Sequence, residues 1–164
     1  MPAPVPALIQ EFFLRNLLIK AIATVFGVGY FPAAPGTAAT AVGVVIAYGL
    51  CNDLPVYTIV LLVLLAIGIM ASGLLEKQLN QKDPGIVVID EVVGVMIALW
   101  GLPLGWSVMI CGFFLFRAFD MFKIYPINRL EAQSGGWGIM LDDCMAGVYT
   151  NIILRIALRC AGFF

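Results

Sequence analysis

Histidine is absent from the 164 residues. Its absence removes Ser-His-Asp hydrolases, Cys-His nucleophile pairs, histidine-ligated zinc, histidine-ligated haem and enzymes that pass through a phosphohistidine. Charge is scarce as well: Asp, Glu, Lys and Arg make up 12% of the chain, about half the share of an average soluble domain. Nine basic and ten acidic residues leave a net charge of −1, which excludes a nucleic-acid binder that works through a basic surface. Cys51, Cys111, Cys144 and Cys160 form no C-x-x-C pair, and most fall within apolar runs, where buried free thiols act as small hydrophobes. Acid, base or metal chemistry is left to carboxylates, lysine, arginine and hydroxyls.

Apolar residues are abundant. They make up 62% of the chain, against roughly 45–50% in a soluble domain, and mean hydropathy is +1.03. A chain of this size buries only about 70% of the surface that it exposes unfolded, too little to hide this much apolar area in a soluble core. The expected architecture is an all-α, polytopic membrane bundle. It forms a single domain over residues 1–164, with about four or five membrane helices and an N-terminal amphipathic helix.

Residues 1–25 are expected to form an interfacial arm. Glu11, Arg15, Asn16 and Lys20 recur at helical spacing, with Leu8, Phe12, Phe13, Leu17 and Ile22 between them, which suits a helix at the membrane surface or one packed on the bundle. No signal peptide is expected here, because a basic n-region is lacking and charges interrupt the apolar stretch. Apolar segments follow at Ala38–Leu50, Pro55–Leu75, Ile86–Trp100, Trp106–Phe119 and Cys144–Phe164. Pro55–Leu75 is free of charge and would be about 32 Å long as a helix, close to the ~30 Å hydrocarbon core of a bilayer.

Lys and Arg favour the cytoplasmic side. Arg15, Lys20, Lys77, Lys82, Lys123 and Arg129 fall in three connections, while the turns at 51–54 and 101–105 carry none. Those three connections are therefore expected inside. Arg155 and Arg159 dissent, and are expected to snorkel to the far interface.

With this topology, four polar stretches meet on one cytoplasmic face: Phe26–Thr37 (FGVGYFPAAPGT), Asp83–Gly94 (DPGIVVIDEVVG), Phe116–Lys123 (FRAFDMFK) and Gly135–Gly147 (GGWGIMLDDCMAG). Asp90 and Glu91 sit about one turn inside an apolar segment, where an unpaired carboxylate costs ~2.5–3.5 kcal/mol. Asp90 shares a helix face with Gly94, and Asp143 with Gly147, so the missing side chains allow close helix approach. Arg117, Asp120 and Lys123 step by three along one face. So many carboxylates in one place call for a hard divalent cation such as Mg²⁺, leaving Arg117 and Lys123 for an anion. The set describes a phosphate-handling site. Taken singly, Asp142 and Asp143 could be an acidic helix start, Arg117–Asp120 a surface ion pair, and Gly27-Val28-Gly29 an ordinary turn; their convergence favours the site.

These four stretches resemble the signature segments of the phosphatidylglycerophosphatase A family, in order and approximate spacing, from about Phe26 to Gly147. The resemblance implies a Mg²⁺-dependent bacterial phosphatase of the inner membrane, multi-pass with its active site facing the cytoplasm. Its substrate would be phosphatidylglycerophosphate, hydrolysed to phosphatidylglycerol and inorganic phosphate in phospholipid biosynthesis. By position, Asp90, Glu91, Asp142 and Asp143 match the family's acidic pairs and would hold metal. Arg117, Asp120 and Lys123 match its F-R-x-x-D-x-x-K element and would be catalytic. Arg117 and Lys123 would bind substrate together with Pro35, Gly36 and Thr37. One departure is that the family's K-P-x-P continues here as Lys123-Ile124, with Pro126 kept. The contrasting reading is a small transporter or channel, which wants acids spread through the membrane depth rather than gathered at one end.

Overall fold

The computed structural model describes residues 7–122 and 135–163, and there the chain is all-helical. Six helices run as α1 (Ala7–Ala23), α2 (Pro35–Leu50), α3 (Leu54–Leu79), α4 (Ile89–Leu99), α5 (Trp106–Phe122) and α6 (Gly136–Cys160), with a 3₁₀ turn at Val28–Tyr30. No strand occurs among the described residues.

Local chemistry sets several boundaries. Pro35 opens α2, a position where its missing N–H costs nothing. The Asp53 side chain accepts the Val56 N–H at 3.1 Å and caps α3. Asn80 ends α3 in the left-handed conformation, φ 48°. The expected segments reappear with shifted ends. α4 starts at Ile89 rather than Ile86, because the Asp83-Pro84-Gly85 turn leads into two non-helical residues, Val87 and Val88. α6 starts at Gly136, eight residues before the expected Cys144.

α4 is the core of the bundle. Nine of its eleven residues are buried, and it packs against α2, α3, α5 and α6. It meets α6 where Gly94 faces Gly147: a Cβ on Gly94 would lie 2.8 Å from the Asp143 carbonyl oxygen, and one on Gly147 would collide with the Gly94 carbonyl. Small residues at this crossing let the two backbones touch.

A helix of eleven residues ends about 16 Å from its start, so the last carbonyls of α4 fall inside the bundle and need donors. The Tyr57 hydroxyl donates to the Met96 carbonyl at 2.7 Å. Asn151 Nδ2 reaches the carbonyls of Ile97, Ala98 and Trp100. Arg155 donates to the Trp100 carbonyl at 2.9 Å and to Asn151 Oδ1 at 2.7 Å. Arg155, expected only to snorkel, thus caps a neighbouring helix.

Of the four or five membrane helices expected, α3 alone among the described residues is long and apolar enough by itself to cross a bilayer; α2 is a shorter apolar helix. In α1, Ile19 and Ala23 are buried against the bundle, whereas Phe12, Phe13, Leu14, Leu17 and Leu18 are exposed. The four cysteines are free thiols. Cys51 and Cys144 are half-buried, but Cys111 and Cys160 are exposed, because they lie on the outer faces of α5 and α6 rather than in the core.

Candidate metal and phosphate site

The starts of α2 and α4, the end of α5 and the early turns of α6 surround a cavity of about 280 Å³. Six carboxylates line it, from Asp83, Asp90, Glu91, Asp120, Asp142 and Asp143, together with the Arg117 guanidinium. The convergence read from the sequence is therefore present, and each acid arrives by a distinct local route.

Asp90 and Glu91 occupy the first turn of α4, where the helix dipole favours negative charge. The Glu91 N–H donates to Asp90 Oδ1 at 3.1 Å. Asp142 and Asp143 lie nearly two turns inside α6 and are 6% and 3% exposed, so the reading of this pair as an acidic helix start does not hold. The Gly94–Gly147 crossing lies one turn further along both helices and draws Asp90 and Asp143 together.

Carboxylate oxygens of Asp90, Glu91 and Asp143 lie within 4.8 Å of one another. Three carboxylates at this range repel strongly when ionised, unless a cation sits between them. The donor set is all oxygen, as hard cations such as Mg²⁺ require. Glu91 Oε2 is buried without a hydrogen-bond partner, leaving a lone pair available inside the cluster. These residues fit a divalent metal. Asp142 lines the same cavity, but its carboxylate stands outside this triad, with its Oδ1 accepting the Asp143 N–H at 3.0 Å.

Arg117, on the last turns of α5, donates through Nη1 to Asp120 Oδ2 and stands 3.8 Å from Glu91 Oε1. Its Nε is buried and unpartnered. Two acids thus hold the guanidinium while part of its donor fork is unused, as an anion-binding arginine requires.

Pro35 and Gly36 also line the cavity. α2 has no side-chain cap at its N-terminus, so its first N–H groups lack intrahelical partners and are directed at the cavity end. Gly36 packs directly on the Glu91–Arg117 pair, for a Cβ there would collide with Glu91 Oε1 and lie 3.1 Å from Arg117 Nη1. Thr37, half-buried, is not among the lining residues. Lys123 lies outside the described residues.

Asp83 is the lining acid that the sequence marks least. Its left-handed backbone, φ 46°, in the Asp-Pro-Gly turn brings it to the cavity, and that turn was the available signal. Beneath the cavity the core is Val93, Met96 and Leu99, all fully buried. The buried hydroxyls of Thr40 and Thr150 bond back to their own helices. The cavity-lining acids gather at one end of the bundle, and the transporter reading finds no support.

Comparison with known proteins agrees with the geometry. The chain is 40% identical over 146 residues to a Bacteroides thetaiotaomicron protein named provisionally as a phosphatidylinositol-3-phosphatase, covering 83% of this chain and 91% of that one. It is 36% identical to phosphatidylglycerophosphatase A of Escherichia coli K12, over 81% of this chain and 79% of that one. It is 33% identical to the Haemophilus influenzae protein of the same name, over 83% and 86%. No solved structure matches the chain. The sequence profile of the phosphatidylglycerophosphatase A family spans residues 21–158, which include every cavity-lining side chain, and the chain belongs to that family of phosphatases.

Proposed function

We propose that this chain is a Mg²⁺-dependent lipid phosphatase that hydrolyses phosphatidylglycerophosphate to phosphatidylglycerol and inorganic phosphate at the cytoplasmic face of a bacterial inner membrane. The observation that carries this reading is the triad of Asp90, Glu91 and Asp143 oxygens beside Arg117, in a cavity at the helix ends.

Mg²⁺ would be held by Asp90, Glu91 and Asp143, with Asp142 facing the same space. When bound it supplies Lewis-acid charge to the phosphoryl oxygens and a more acidic water. Arg117 pairs with the remaining phosphoryl oxygens through its free donors. Asp120 fixes the plane of that guanidinium, and the first N–H groups of α2 add partial positive charge. Lys123 is proposed as a further cation beside the phosphate. Water adds to phosphorus in line, the bond from phosphorus to the glycerol oxygen breaks, and a proton passes to that oxygen as the lipid alcohol leaves.

The membrane setting rests on the outer surface. Val45 of α2, Ile59 and Met70 of α3, Phe114 of α5 and Ile156 of α6 are all more than half exposed, so apolar side chains cover the middle of the bundle on several sides. We read α2, α5 and α6 as crossing with α3, around a short, enclosed α4. Lys77 and Lys82 lie at the cavity end, which assigns that end to the cytoplasm under the positive-inside rule.

The name of the Bacteroides relative points to a second headgroup, phosphatidylinositol 3-phosphate. Phosphate release from both lipids by the purified chain, with Mg²⁺ and with EDTA, tests the proposal. Turnover of phosphatidylglycerophosphate that EDTA abolishes and Mg²⁺ restores is the expected result. Turnover of the inositol lipid alone would transfer the activity to that headgroup, and metal-independent turnover would overturn the role of the triad.

A further inference from the structure

Two apolar grooves run along the outside of the bundle. One, of about 410 Å³, lies between α2 and α5 and is walled by residues that include Ala41, Val45 and Tyr48 on one side and Met109, Phe113 and Phe114 on the other. The second, of about 440 Å³, lies between α1 and α3 and is walled by residues such as Leu18, Ile22, Met70 and Leu74. Their relation to the carboxylate cavity differs. Neither α1 nor α3 contributes a residue to the cavity wall, whereas α2 and α5 supply Pro35, Gly36, Arg117 and Asp120.

The α2/α5 groove and the cavity lie on the same two helices, the groove further from the start of α2 and the end of α5. On α5, Met109, Phe113 and Arg117 are spaced by four and share one face; Phe113 closes the groove and Arg117 opens the cavity. On α2, Thr37, Ala41 and Val45 form the matching stripe, and Thr37 adjoins Gly36 of the cavity wall. One helical turn separates the apolar lining from the guanidinium. From Thr37 to Tyr48 the stripe is about 16 Å long at the helical rise, close to the ~15 Å depth of one leaflet in a ~30 Å hydrocarbon core.

We propose that the α2/α5 groove is the docking site for one acyl chain of the phospholipid whose headgroup phosphate enters the cavity. Thr37 and Arg117 then mark the junction between chain and headgroup. Substrate reaches the site sideways from the bilayer, between α2 and α5, and the apolar chain fixes the headgroup's approach to Arg117. This inference rests on the lipid-phosphatase reading and adds the position of the chain.

The test uses the full-length protein in detergent with Mg²⁺ and a phosphatidylglycerophosphate that carries a diazirine in one acyl chain. Phosphate release is measured in the dark, and adducts are mapped by peptide mass spectrometry after illumination. Adducts confined to 41–48 and 109–114, and displaced by unlabelled lipid, are expected. Adducts at 14–22 and 67–74, or spread evenly over the outward faces of all helices, would overturn the groove assignment. If the dark reaction releases no phosphate, the lipid-phosphatase reading fails first; release with scattered adducts sinks the groove alone.

Kinetics gives a second readout. Ala41 is exposed, so Ala41→Trp fills the groove without entering the core. It should raise KM for the lipid and lower kcat/KM about tenfold, the lower end of what one apolar contact contributes to substrate selection. Leu18→Trp fills the other groove and should leave both parameters unchanged. Equal losses in the two variants, or none in either, would contradict the proposal.

Discussion

The two ends of α4 treat polar groups in opposite ways. At its far end, Tyr57, Asn151 and Arg155 supply donors to the carbonyls of Met96, Ile97, Ala98 and Trp100. At its near end, Asp90 and Glu91 are brought against Asp143, and Glu91 Oε2 and Arg117 Nε have no partner at all. α6 flanks both ends, supplying Asn151 and Arg155 to one and Asp142 and Asp143 to the other. The far end is satisfied because an orphaned carbonyl in an apolar bundle is costly. The near end leaves buried polar atoms unpaired, as the proposed site for a cation and an anion requires.

This contrast can be broken from either side. The largest effect should come from Asp90→Asn or Asp143→Asn. Losing a metal-ligating carboxylate lowers turnover about 100-fold or more, while thermal unfolding in detergent holds steady or rises, since one like charge has left the cluster. A fall in melting temperature together with retained turnover would make the acids structural. Gly36→Ala comes next. Its methyl group would push Glu91 off the Arg117 contact, and a displacement of this kind costs about 10- to 100-fold in kcat, read by steady-state phosphate release.

The far end should behave in the reverse manner. Asn151→Ala strips donors from three carbonyls and should destabilise the fold by about 1–3 kcal/mol, seen as an earlier unfolding transition with kcat nearly unchanged. The smallest effect belongs to Tyr57→Phe, which removes one buried hydrogen bond worth about 1 kcal/mol and should leave the metal dependence of hydrolysis intact. Large kcat losses in either variant would erase the distinction between the ends.

Much of the near end is legible in the sequence because its signals are local. Asp90 with Gly94 and Asp143 with Gly147 state both the acid and the crossing that positions it. Arg117 and Asp120, one turn apart, state their own pairing. The start of α6 is less legible. Gly135-Gly136-Trp137-Gly138 reads as a turn on helix propensity, yet Gly136 lies so close to α3 that any side chain would collide with the Ile69 carbonyl, and packing overrides propensity there. Nothing near Asn151 and Arg155 in sequence says that they cap another helix; their partners are more than fifty residues away. Their need arises only because α4 stops after eleven residues.

The central claim is that acids from α4 and α6 share one divalent cation. Mn²⁺ bound in place of Mg²⁺ can be counted by electron paramagnetic resonance on the purified protein, on its Asp90→Asn variant and on its Asp143→Asn variant. The account predicts bound Mn²⁺ in the unmodified chain and its loss, together with phosphate release, in each variant. Undiminished Mn²⁺ binding and hydrolysis in both would contradict it.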